Sequence, residues 1–435
     1  MKPRITMIGT GYVGLVSGTC FAEMGMDVTC VDIDAEKIRK LTEENIIPIY
    51  EPGLDELVAR NQKAGRLHFT TDLSTCVPNS DAVFIAVGTP QDEDGSADMQ
   101  YVLQAAEDIA KNLSGYTVIV NKSTVPVGTG QRVEDRIKSV NPQAEFDVCS
   151  NPEFLREGAA IGDFMKPDRI VVGCPNEKSA QVMKAIYKPQ TDEGYSLLIT
   201  NRESSELIKY AANAFLATKI TFINEIANLC EKVGADVMSV SEGIGLDTRI
   251  GSKFLQPGPG YGGSCFPKDT NALAFQGQEF DAPQTIVEKT IEANENIKKR
   301  LAEKVAQALG GSIQGKKVAV LGLAFKADTD DMRDAPALTI LPELEKLGAT
   351  LVAYDPEAHE QAQWRMPNLA LASSKEEALE GADIAVILTE WQEFKTMDVQ
   401  AVAEQTSSKT IVDLRNLFNP ADMADLGVQY ISIGR

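Results

Sequence analysis

Short apolar runs and intervening helical stretches alternate along the first third of the chain. The runs are typical of buried strands, and the first helix is predicted over residues 12–24. The strands are predicted over residues 5–8, 28–32, 82–87, 117–121, 146–150 and 169–173. Such alternation predicts a mostly parallel sheet with helices on both faces.

The apolar pattern changes to helical spacing between residues 203 and 233, with no interior glycine or proline. The positions that carry it are Leu207, Ile208, Ala211, Phe215, Ile220, Ile223, Ile226, Ala227 and Cys230. About thirty residues give a helix roughly 45 Å long, enough to connect domains. Further helix is predicted over residues 237–243 and 283–309. The apolar face could pack within one chain or form a dimer interface, and both remain open.

A second strand pattern follows the glycine-rich boundary at residues 310–315. Residues 317–325 repeat the first strand and turn, residues 349–355 repeat the second strand with its terminal aspartate, and strands at 384–388 and 410–413 follow. We therefore predict an α/β fold with two Rossmann-like doubly wound domains, joined by a long central helix and a helical middle segment. The expected domain bounds are 1–200, 201–310 and 311–435.

Composition narrows the class of protein. The net charge is -21 with no basic stretch, so nucleic acid and anionic membrane are poor partners. Seven scattered cysteines without Cys-x-x-Cys pairs favour reduced thiols and argue against a zinc cluster or any other metal site. No basic-then-apolar leader precedes the first strand, and no apolar run is long enough to span a membrane. We expect a cytoplasmic protein.

A glycine-rich loop lies between the first predicted strand and the first helix. It reads Gly9, Thr10, Gly11, Tyr12, Val13 and Gly14. In this context the glycines let a dinucleotide pyrophosphate approach the helix N-terminus. Asp32, at the end of the next strand, would accept from the ribose hydroxyls and repel a 2′-phosphate, which favours NAD over NADP. Lys37 either supports the same ligand or is a solvated helix lysine.

Three segments follow predicted strand ends, where the ligand crevice of a doubly wound sheet lies. They span residues 87–91, 122–127 and 151–157. Thr89, Ser123 and Thr124 are small donors suited to contacting cofactor or water. Glu153 and Glu157 would share a face if their segment is helical, and each is either functional or a capping or solvated carboxylate.

Cys265 lies in a run of four glycines, a lysine and a carboxylate between residues 258 and 269. Pro267 suits a first helical position, which would put Cys265 beside a helix N-terminus. That positive end, with Lys268 nearby, favours thiolate over thiol. A buried structural cysteine is the plainer alternative.

Lys209 and Asn213 lie four residues apart on the predicted long helix. Lys209 either snorkels past its apolar neighbours or, with Asn213, forms a polar site that stabilises an oxyanion near Cys265. NAD with a positioned thiolate suggests two oxidations of one alcohol. The thiolate would capture the aldehyde as a thiohemiacetal, a second hydride loss would give a thioester, and water would release a carboxylate.

Four motifs in this order give the chain a resemblance to the UDP-glucose/GDP-mannose dehydrogenase family, nucleotide-sugar dehydrogenases. They are the glycine loop and residues 151–158, 262–269 and 322–326, and the likeness runs essentially end to end. Its short bacterial members imply oxidation of UDP-glucose to UDP-glucuronate with reduction of two NAD. They also imply a homodimer, which we place on the central helix.

The resemblance assigns roles at the reacting centre. Cys265 would be the nucleophile, with Lys209 and Asn213 on the oxyanion. Asp269 and Thr124 would hold or activate water, and Glu153 would assist thioester hydrolysis. The expected cofactor residues are Gly9, Gly11, Tyr12, Val13, Gly14, Asp32, Lys37, Thr89, Ser123, Thr124, Glu157 and Arg333.

The resemblance also implies contacts to the sugar nucleotide. Arg249 matches an arginine donated to the neighbouring subunit, and Arg415 matches the family's Asp-Gly-Arg arginine although Leu414 replaces the glycine. The expected substrate residues are Glu153, Phe154, Leu155, Arg156, Glu157, Lys209, Asn213, Arg249, Phe254, Leu255, Gln256, Tyr261, Gly262, Phe325, Lys326 and Arg415.

Three alternatives stay open on the residues alone. UDP-N-acetylmannosamine or GDP-mannose would need the same thiolate chemistry as UDP-glucose. A single-step alcohol dehydrogenase would need neither Cys265 nor the second sheet domain. A redox-sensing NAD-binding protein would oxidise Cys265 reversibly without turnover.

Overall fold

A computed structural model of the protein describes residues 2–92 and 95–435. Residue contacts divide the chain into two compact units, Met1–Ala212 and Asn213–Arg435. The division falls inside one helix, Arg202–Val233, which is the predicted long helix with one residue added at its N-terminus. The α/β fold with two doubly wound sheets is confirmed.

The first unit is built on an eight-stranded sheet. Its strands are β1 Arg4–Ile8, β2 Asp27–Val31, β3 Leu67–Thr70, β4 Ala82–Ile85, β5 Thr117–Asn121, β6 Phe146–Ser150, β7 Ile170–Gly173 and β8 Leu197–Thr200. The helices up to the division are α1 Tyr12–Glu23, α2 Ala35–Arg39, α3 Leu54–Lys63, α4 Gln100–Ala110, α5 Thr129–Val140, α6 Ala160–Met165, α7 Glu177–Ile186, α8 Lys188–Asp192 and α9 Arg202–Val233.

The strand order β3-β2-β1-β4-β5-β6-β7-β8 places β1 and β4 side by side at the reversal of the sheet. All pairings are parallel except β6 with β7, which meet antiparallel at Ser150 and Gly173. Alternate residues of one strand enter different cores: Phe84 packs in one and Val83 and Ile85 in the other. Helices cover both faces, which explains why the strands read as continuous apolar runs.

The second unit carries a six-stranded parallel sheet in the order β11-β10-β9-β12-β13-β14. Its strands are β9 Lys317–Leu321, β10 Thr350–Tyr354, β11 Ala370–Leu371, β12 Ile384–Ile387, β13 Thr410–Asp413 and β14 Gln429–Ile431. Its helices are α10 Val237–Gly245, α11 Phe266–Glu279, α12 Thr285–Ala308, α13 Ala337–Lys346, α14 His359–Arg365, α15 Lys375–Leu379, α16 Gln392–Lys395, α17 Val399–Glu404 and α18 Pro420–Ala424.

Asp355, just past β10, occupies the place in the second sheet that Asp32 occupies in the first. Its Oδ2 accepts from the backbone N–H of Leu323 and Ala324 and from Trp391 Nε1, at 2.7, 3.0 and 3.1 Å. Its Oδ1 accepts from two further backbone N–H groups at 3.0 and 2.9 Å. Five donors fill a carboxylate that offers about four lone-pair positions. Asp355 is therefore committed to holding its own loop.

Candidate active site

The glycine loop after β1 is tight at one end and open in the middle. Gly9 has φ +97°, and a Cβ there would lie 2.6 Å from the carbonyl oxygen of Ala86. A Cβ on Gly11, the N-cap of α1, would meet no atom within 4 Å. The loop thus leaves the N-terminus of α1 accessible, and its residues fit a dinucleotide pyrophosphate.

Asp32 lies one residue beyond β2, at the same edge of the sheet. Its Oδ2 accepts from Thr10 N at 2.9 Å and Thr10 Oγ1 at 2.6 Å, and Lys37 Nζ lies 3.1 Å away. Its Oδ1 accepts from one backbone N–H, that of Asp34 at 3.1 Å. Burial raises the pKa of Asp32, but these hydrogen bonds outweigh it and lower the pKa to about 2. A charged carboxylate with acceptor capacity on Oδ1 suits a ribose hydroxyl.

The small hydroxyl residues at the ends of β4 and β5 link neighbouring loops. Thr89 Oγ1 donates to the carbonyl of Thr124 at 3.0 Å, and Ser123 Oγ donates to that of Val87 at 2.7 Å. Both hydroxyl protons are therefore used within the protein, while the oxygens keep lone pairs for a ligand donor.

Glu153 and Lys209 form a buried ion pair, with Nζ 3.0 Å from Oε1 and side chains 6 and 4% exposed. Glu153 Oε2 also accepts from Leu155 N at 2.5 Å. Burial raises the pKa of Glu153, but the Lys209 charge and the Leu155 hydrogen bond outweigh it, and the net shift is downward. Glu153 is held as a carboxylate, and Lys209 is inside a polar site rather than snorkelling.

The segment around Glu153 has no regular secondary structure before a turn begins at Glu157, so Glu153 and Glu157 do not share a helix face. The Phe154 ring lies between two cations, with Arg169 Cζ 3.6 Å and Lys209 Nζ 5.4 Å from its centroid. Arg156, by contrast, points to the surface and pairs with Asp163 at 2.6 Å.

Lys122, at the end of β5, is a buried cation that the sequence analysis did not single out. Its Nζ lies 3.1 Å from Asn151 Oδ1, which also accepts from the Tyr187 hydroxyl. Burial lowers the pKa of Lys122 to about 8, although the nearby Glu153 charge opposes the shift. A lysine two residues after the apolar run 118–120 was the available signal.

Cys265 is the N-cap of α11, as expected from the proline two residues later. The prediction for Pro267 was one residue off, because Phe266 is the first helical residue and Pro267 the second. Cys265 is half-buried, and its Sγ lies 3.5 Å from Ser264 Oγ. The first turn of a helix stabilises a thiolate at this position.

Asp269, one turn after Cys265, is 1% exposed. Its Oδ2 accepts from Asn213 Nδ2 at 2.6 Å, and Lys268 Nζ lies 2.6 Å from its Oδ1. Its backbone N–H donates to the Cys265 carbonyl at 2.9 Å. Asn213, expected on the oxyanion, and Asp269, expected to hold water, are therefore in direct contact.

Two buried asparagines that the sequence analysis missed hold the loop before Cys265. Asn224 Oδ1 accepts from Gly258 N at 2.8 Å, and Asn294 accepts from Tyr261 N at 2.9 Å and donates to its carbonyl at 3.1 Å. Both side chains are 2% exposed. Their partners lie 34 and 33 residues away, so no local pattern marked them.

The predicted substrate loop packs its aromatic residues around the residue after the cysteine. The rings of Phe254 and Tyr261 each lie 6.1 Å from that of Phe266. Leu255 is 2% exposed and belongs to the core, and its carbonyl accepts from Ser241 Oγ at 2.6 Å. Gln256 is exposed.

The segment after β9 packs against the loop that precedes Cys265. A Cβ on Gly262 would lie 2.3 Å from the Asp334 carbonyl oxygen, and Gly263 N donates to the Arg333 carbonyl at 2.8 Å. The Arg333 guanidinium pairs with Asp331 at 2.9 Å. Arg333 thus contributes its backbone to the loop as well as a half-exposed cation.

Arg415, two residues after β13, contacts the segment that follows β9. Its Nη2 donates to the Phe325 carbonyl at 2.6 Å and its Nε to the Leu388 carbonyl at 2.7 Å. Lys326 follows Phe325, with its Nζ 5.5 Å from that ring. The replacement of glycine by Leu414 is accommodated, because Leu414 is fully buried in the core.

Arg249 is an exposed residue of the second unit. Its side chain is 87% exposed and its Nη2 lies 2.6 Å from Asp247 Oδ2. Within residues 2–92 and 95–435, no group of three or more His, Cys, Asp or Glu could hold a metal ion. Across the same residues, no helix is long and apolar enough to cross a membrane.

Comparison with known proteins covers nearly the whole chain. Three models of the UDP-glucose/GDP-mannose dehydrogenase family match: the NAD binding domain at residues 3–191, the central domain at 203–296 and the UDP binding domain at 319–420. A UDP-glucose 6-dehydrogenase of Rhizobium meliloti is 55% identical over 99% of both chains. UDP-glucose 6-dehydrogenase TuaD of Bacillus subtilis is 49% identical over 99% of this chain and 93% of its own.

Solved structures agree with this assignment. A UDP-glucose dehydrogenase from Pyrobaculum islandicum is 35% identical with a TM-score of 0.91, covering 99% of this chain and 97% of its own. A UDP-D-ManNAc dehydrogenase from Pyrococcus horikoshii is 27% identical with a TM-score of 0.87, covering 99% of both. With its glycine loop, Asp32 and Cys265 in place, the chain belongs to the UDP-glucose/GDP-mannose dehydrogenase family.

Proposed function

We propose that this protein oxidises UDP-glucose at C6 to UDP-glucuronate and reduces two NAD. One observation carries the proposal: Cys265 caps α11, and one turn later the buried Asp269 is held by Asn213 and Lys268. The substrate follows from the names of the full-length relatives and from the UDP binding domain at residues 319–420.

Each oxidation needs an acceptor for one hydride, which NAD supplies when bound. Cys265 attacks the aldehyde carbon as a thiolate, forming a C–S bond and an oxyanion. Lys209 and Asn213 stabilise that oxyanion. Loss of the second hydride from the same carbon leaves a thioester, so the aldehyde is held covalently between the two oxidations.

Hydrolysis then breaks the C–S bond. Thr124 and Asp269 orient a water, which attacks the thioester carbonyl while Glu153 takes its proton and the Cys265 thiolate leaves. The lowered pKa of Glu153 supports this role, because the side chain starts as a base.

Binding residues complete the proposal. Gly9, Gly11, Tyr12, Val13 and Gly14 hold the pyrophosphate and Asp32 the ribose, with Lys37, Thr89, Ser123, Thr124, Glu157 and Arg333 as further cofactor residues. The UDP-sugar is held by residues 153–157, by Lys209 and Asn213, and by Phe254, Leu255, Gln256, Tyr261, Gly262, Phe325, Lys326 and Arg415. Arg249 reaches the site of a neighbouring subunit.

We also propose a homodimer formed along α9. Three large apolar side chains spaced seven residues apart on this helix are solvent-exposed: Phe215 at 67%, Phe222 at 48% and Leu229 at 56%. Such spacing suits a helix-to-helix interface. The proposed location is the cytoplasm. The proposed domains are a nucleotide binding domain at residues 1–200, a helical segment at 201–310 and a UDP binding domain at 311–435.

A substrate panel tests the function. Purified protein is assayed at 340 nm with UDP-glucose, UDP-N-acetylmannosamine or GDP-mannose, each with NAD or NADP. We expect turnover with UDP-glucose and NAD and two NADH for each sugar consumed. One NADH per sugar would indicate a single oxidation and would exclude the thioester mechanism. Preference for UDP-N-acetylmannosamine would instead give this protein the substrate named for the Pyrococcus horikoshii structure.

A further inference from the structure

Glu51 has a buried carboxylate that no role assigned above uses. It lies three residues before α3 and is 7% exposed. Its Oε2 accepts from the Tyr12 hydroxyl and from Gly158 N at 2.8 Å, and its Oε1 accepts from Ala160 N at 2.8 Å and Ile161 N at 3.3 Å. Four donors on one buried carboxylate make a rigid junction.

The donors come from two segments far apart in sequence. Tyr12 is the first residue of α1, in the glycine loop that fits the pyrophosphate. Gly158 ends the segment that begins after β6 and carries Glu153. The two segments also contact each other directly, because Gly158 N donates a hydrogen bond to the Tyr12 hydroxyl at 3.1 Å.

The charge of Glu51 fixes the direction of these hydrogen bonds. Burial, followed by the hydrogen bond and the charge of Glu51, raises the pKa of the Tyr12 phenol far above its ordinary value. Tyr12 therefore keeps its proton and donates it to Glu51.

We propose that Glu51 is a positioning residue that couples the cofactor loop to the Glu153 segment. It rests on the proposed function, because both segments face the carboxyl ends of strands, where the dinucleotide and the reacting carbon meet. Without the carboxylate, Tyr12 and residues 158–161 lose a common acceptor. NAD binding then weakens and Glu153 loses its alignment. UDP-glucose binding weakens less, because most of its expected contacts, such as Lys326 and Arg415, lie outside the junction.

The principal test compares Glu51→Gln with Glu56→Gln, the same change at an exposed position on α3. Calorimetry gives the NAD and UDP-glucose dissociation constants, and steady-state assays give kcat. We expect Glu51→Gln to weaken NAD binding about tenfold and lower kcat by a similar factor, with UDP-glucose binding within about twofold of the parent. Hydrogen exchange of the cofactor-free protein should rise in the peptide that contains Gly158 and Ala160.

Tyr12→Phe provides a second variant if Glu51→Gln does not fold, because it removes one of the four donors and keeps the carboxylate. It should weaken NAD binding about threefold, and combining the two changes should cost less than their product. Unchanged NAD affinity and kcat in Glu51→Gln would overturn the proposal, as would equal weakening of NAD and UDP-glucose. The NAD and exchange measurements need no turnover, so they separate this inference from failure of the proposed function.

Discussion

Asn213 Nδ2 donates a hydrogen bond of 2.6 Å to Oδ2 of Asp269, and both side chains are buried. The amide therefore fixes the orientation of the carboxylate that follows Cys265 by one turn. Lys268 Nζ lies 2.6 Å from the other oxygen, so both oxygens of this buried side chain have a partner.

Asn213→Asp should make activity fall with rising pH. Two carboxyl groups at this separation cannot both ionise easily, so at low pH they share one proton that replaces the amide donor. As pH rises that proton is lost and the pair repels. We expect the ratio of variant to parent kcat/KM to be at least about fivefold higher at pH 6 than at pH 8. Asn213→Ala, which has no second carboxyl, should show a loss independent of pH.

Cys265→Ser should abolish steady-state turnover, because an alkoxide leaves an acyl carbon less readily than a thiolate does. Intact-protein mass spectrometry after incubation with UDP-glucose and NAD should detect a covalent sugar-nucleotide ester. Cys174→Ser is the matched control at another half-buried cysteine and should keep activity. Parent-like turnover in Cys265→Ser would exclude the covalent mechanism.

Asp32→Asn should weaken NAD binding about tenfold and reduce the preference for NAD over NADP. The pKa of Asp32 is about 2, lower than in the unfolded chain. Its charge therefore persists down to that pH, and the NAD affinity of the parent should be constant between about pH 5 and 8. Asp355→Asn is the control: it should lower the melting temperature and leave cofactor preference unchanged. A parent NAD affinity that fell between pH 8 and pH 5 would contradict the assignment.

Glu206 should make the protein less stable as pH rises. Its carboxylate accepts from Gly128 N and Gly130 N at 2.7 and 2.8 Å, and burial, which outweighs these bonds, raises its pKa from 4.5 to about 7. The raised value means that its contribution is complete below pH 4.5 and is lost through pH 7, by at most roughly 3 kcal/mol.

Thermal unfolding between pH 5 and 9 measures this effect. The loss of stability from pH 6 to 8 should be smaller in Glu206→Gln than in the parent, whatever the variant's absolute stability. Glu225→Gln, at an exposed position on the same helix, should retain the parent slope. Identical slopes in the parent and Glu206→Gln would assign the pH dependence to another group.

Phe215→Glu and Phe222→Glu should convert the proposed dimer to monomers, because each puts a charge in an apolar contact. Light scattering coupled to size-exclusion chromatography measures the mass. Leu246→Glu, at an exposed apolar position on the loop after α10, is the control and should stay dimeric. A monomeric parent would refute the dimer.

The parts of the site that follow one another in sequence could be predicted. The glycine loop, Asp32 and the Cys265 run each contain their own chemistry, so local pattern was sufficient. Glu51 could not be found in this way, because Tyr-Glu-Pro-Gly reads as an ordinary turn and the Glu51 partners lie 39 and 107 residues away. Asn224 and Asn294 were missed for the same reason.

Fold prediction had a similar limit. Strands that are apolar on both faces, such as β4 and β5, were recognised with ends correct to within two residues. The edge strands β3, β8, β11 and β14 were missed because they are short or partly exposed and their apolar pattern is weak. The antiparallel meeting of β6 and β7 is a long-range pairing that periodicity does not encode.

The same sequence pattern, a strand followed by an aspartate, has a different role in each sheet, as Asp355 shows. In the first sheet the acid keeps an oxygen for a ligand, and in the second all its acceptors hold the protein's own backbone. Of the two described sheets, the first therefore keeps an acid oxygen for a dinucleotide ribose and the second does not. The second sheet is free to change the nucleotide that it recognises without disturbing the hydride acceptor, and family members that share a cofactor can diverge in the nucleotide that carries the sugar.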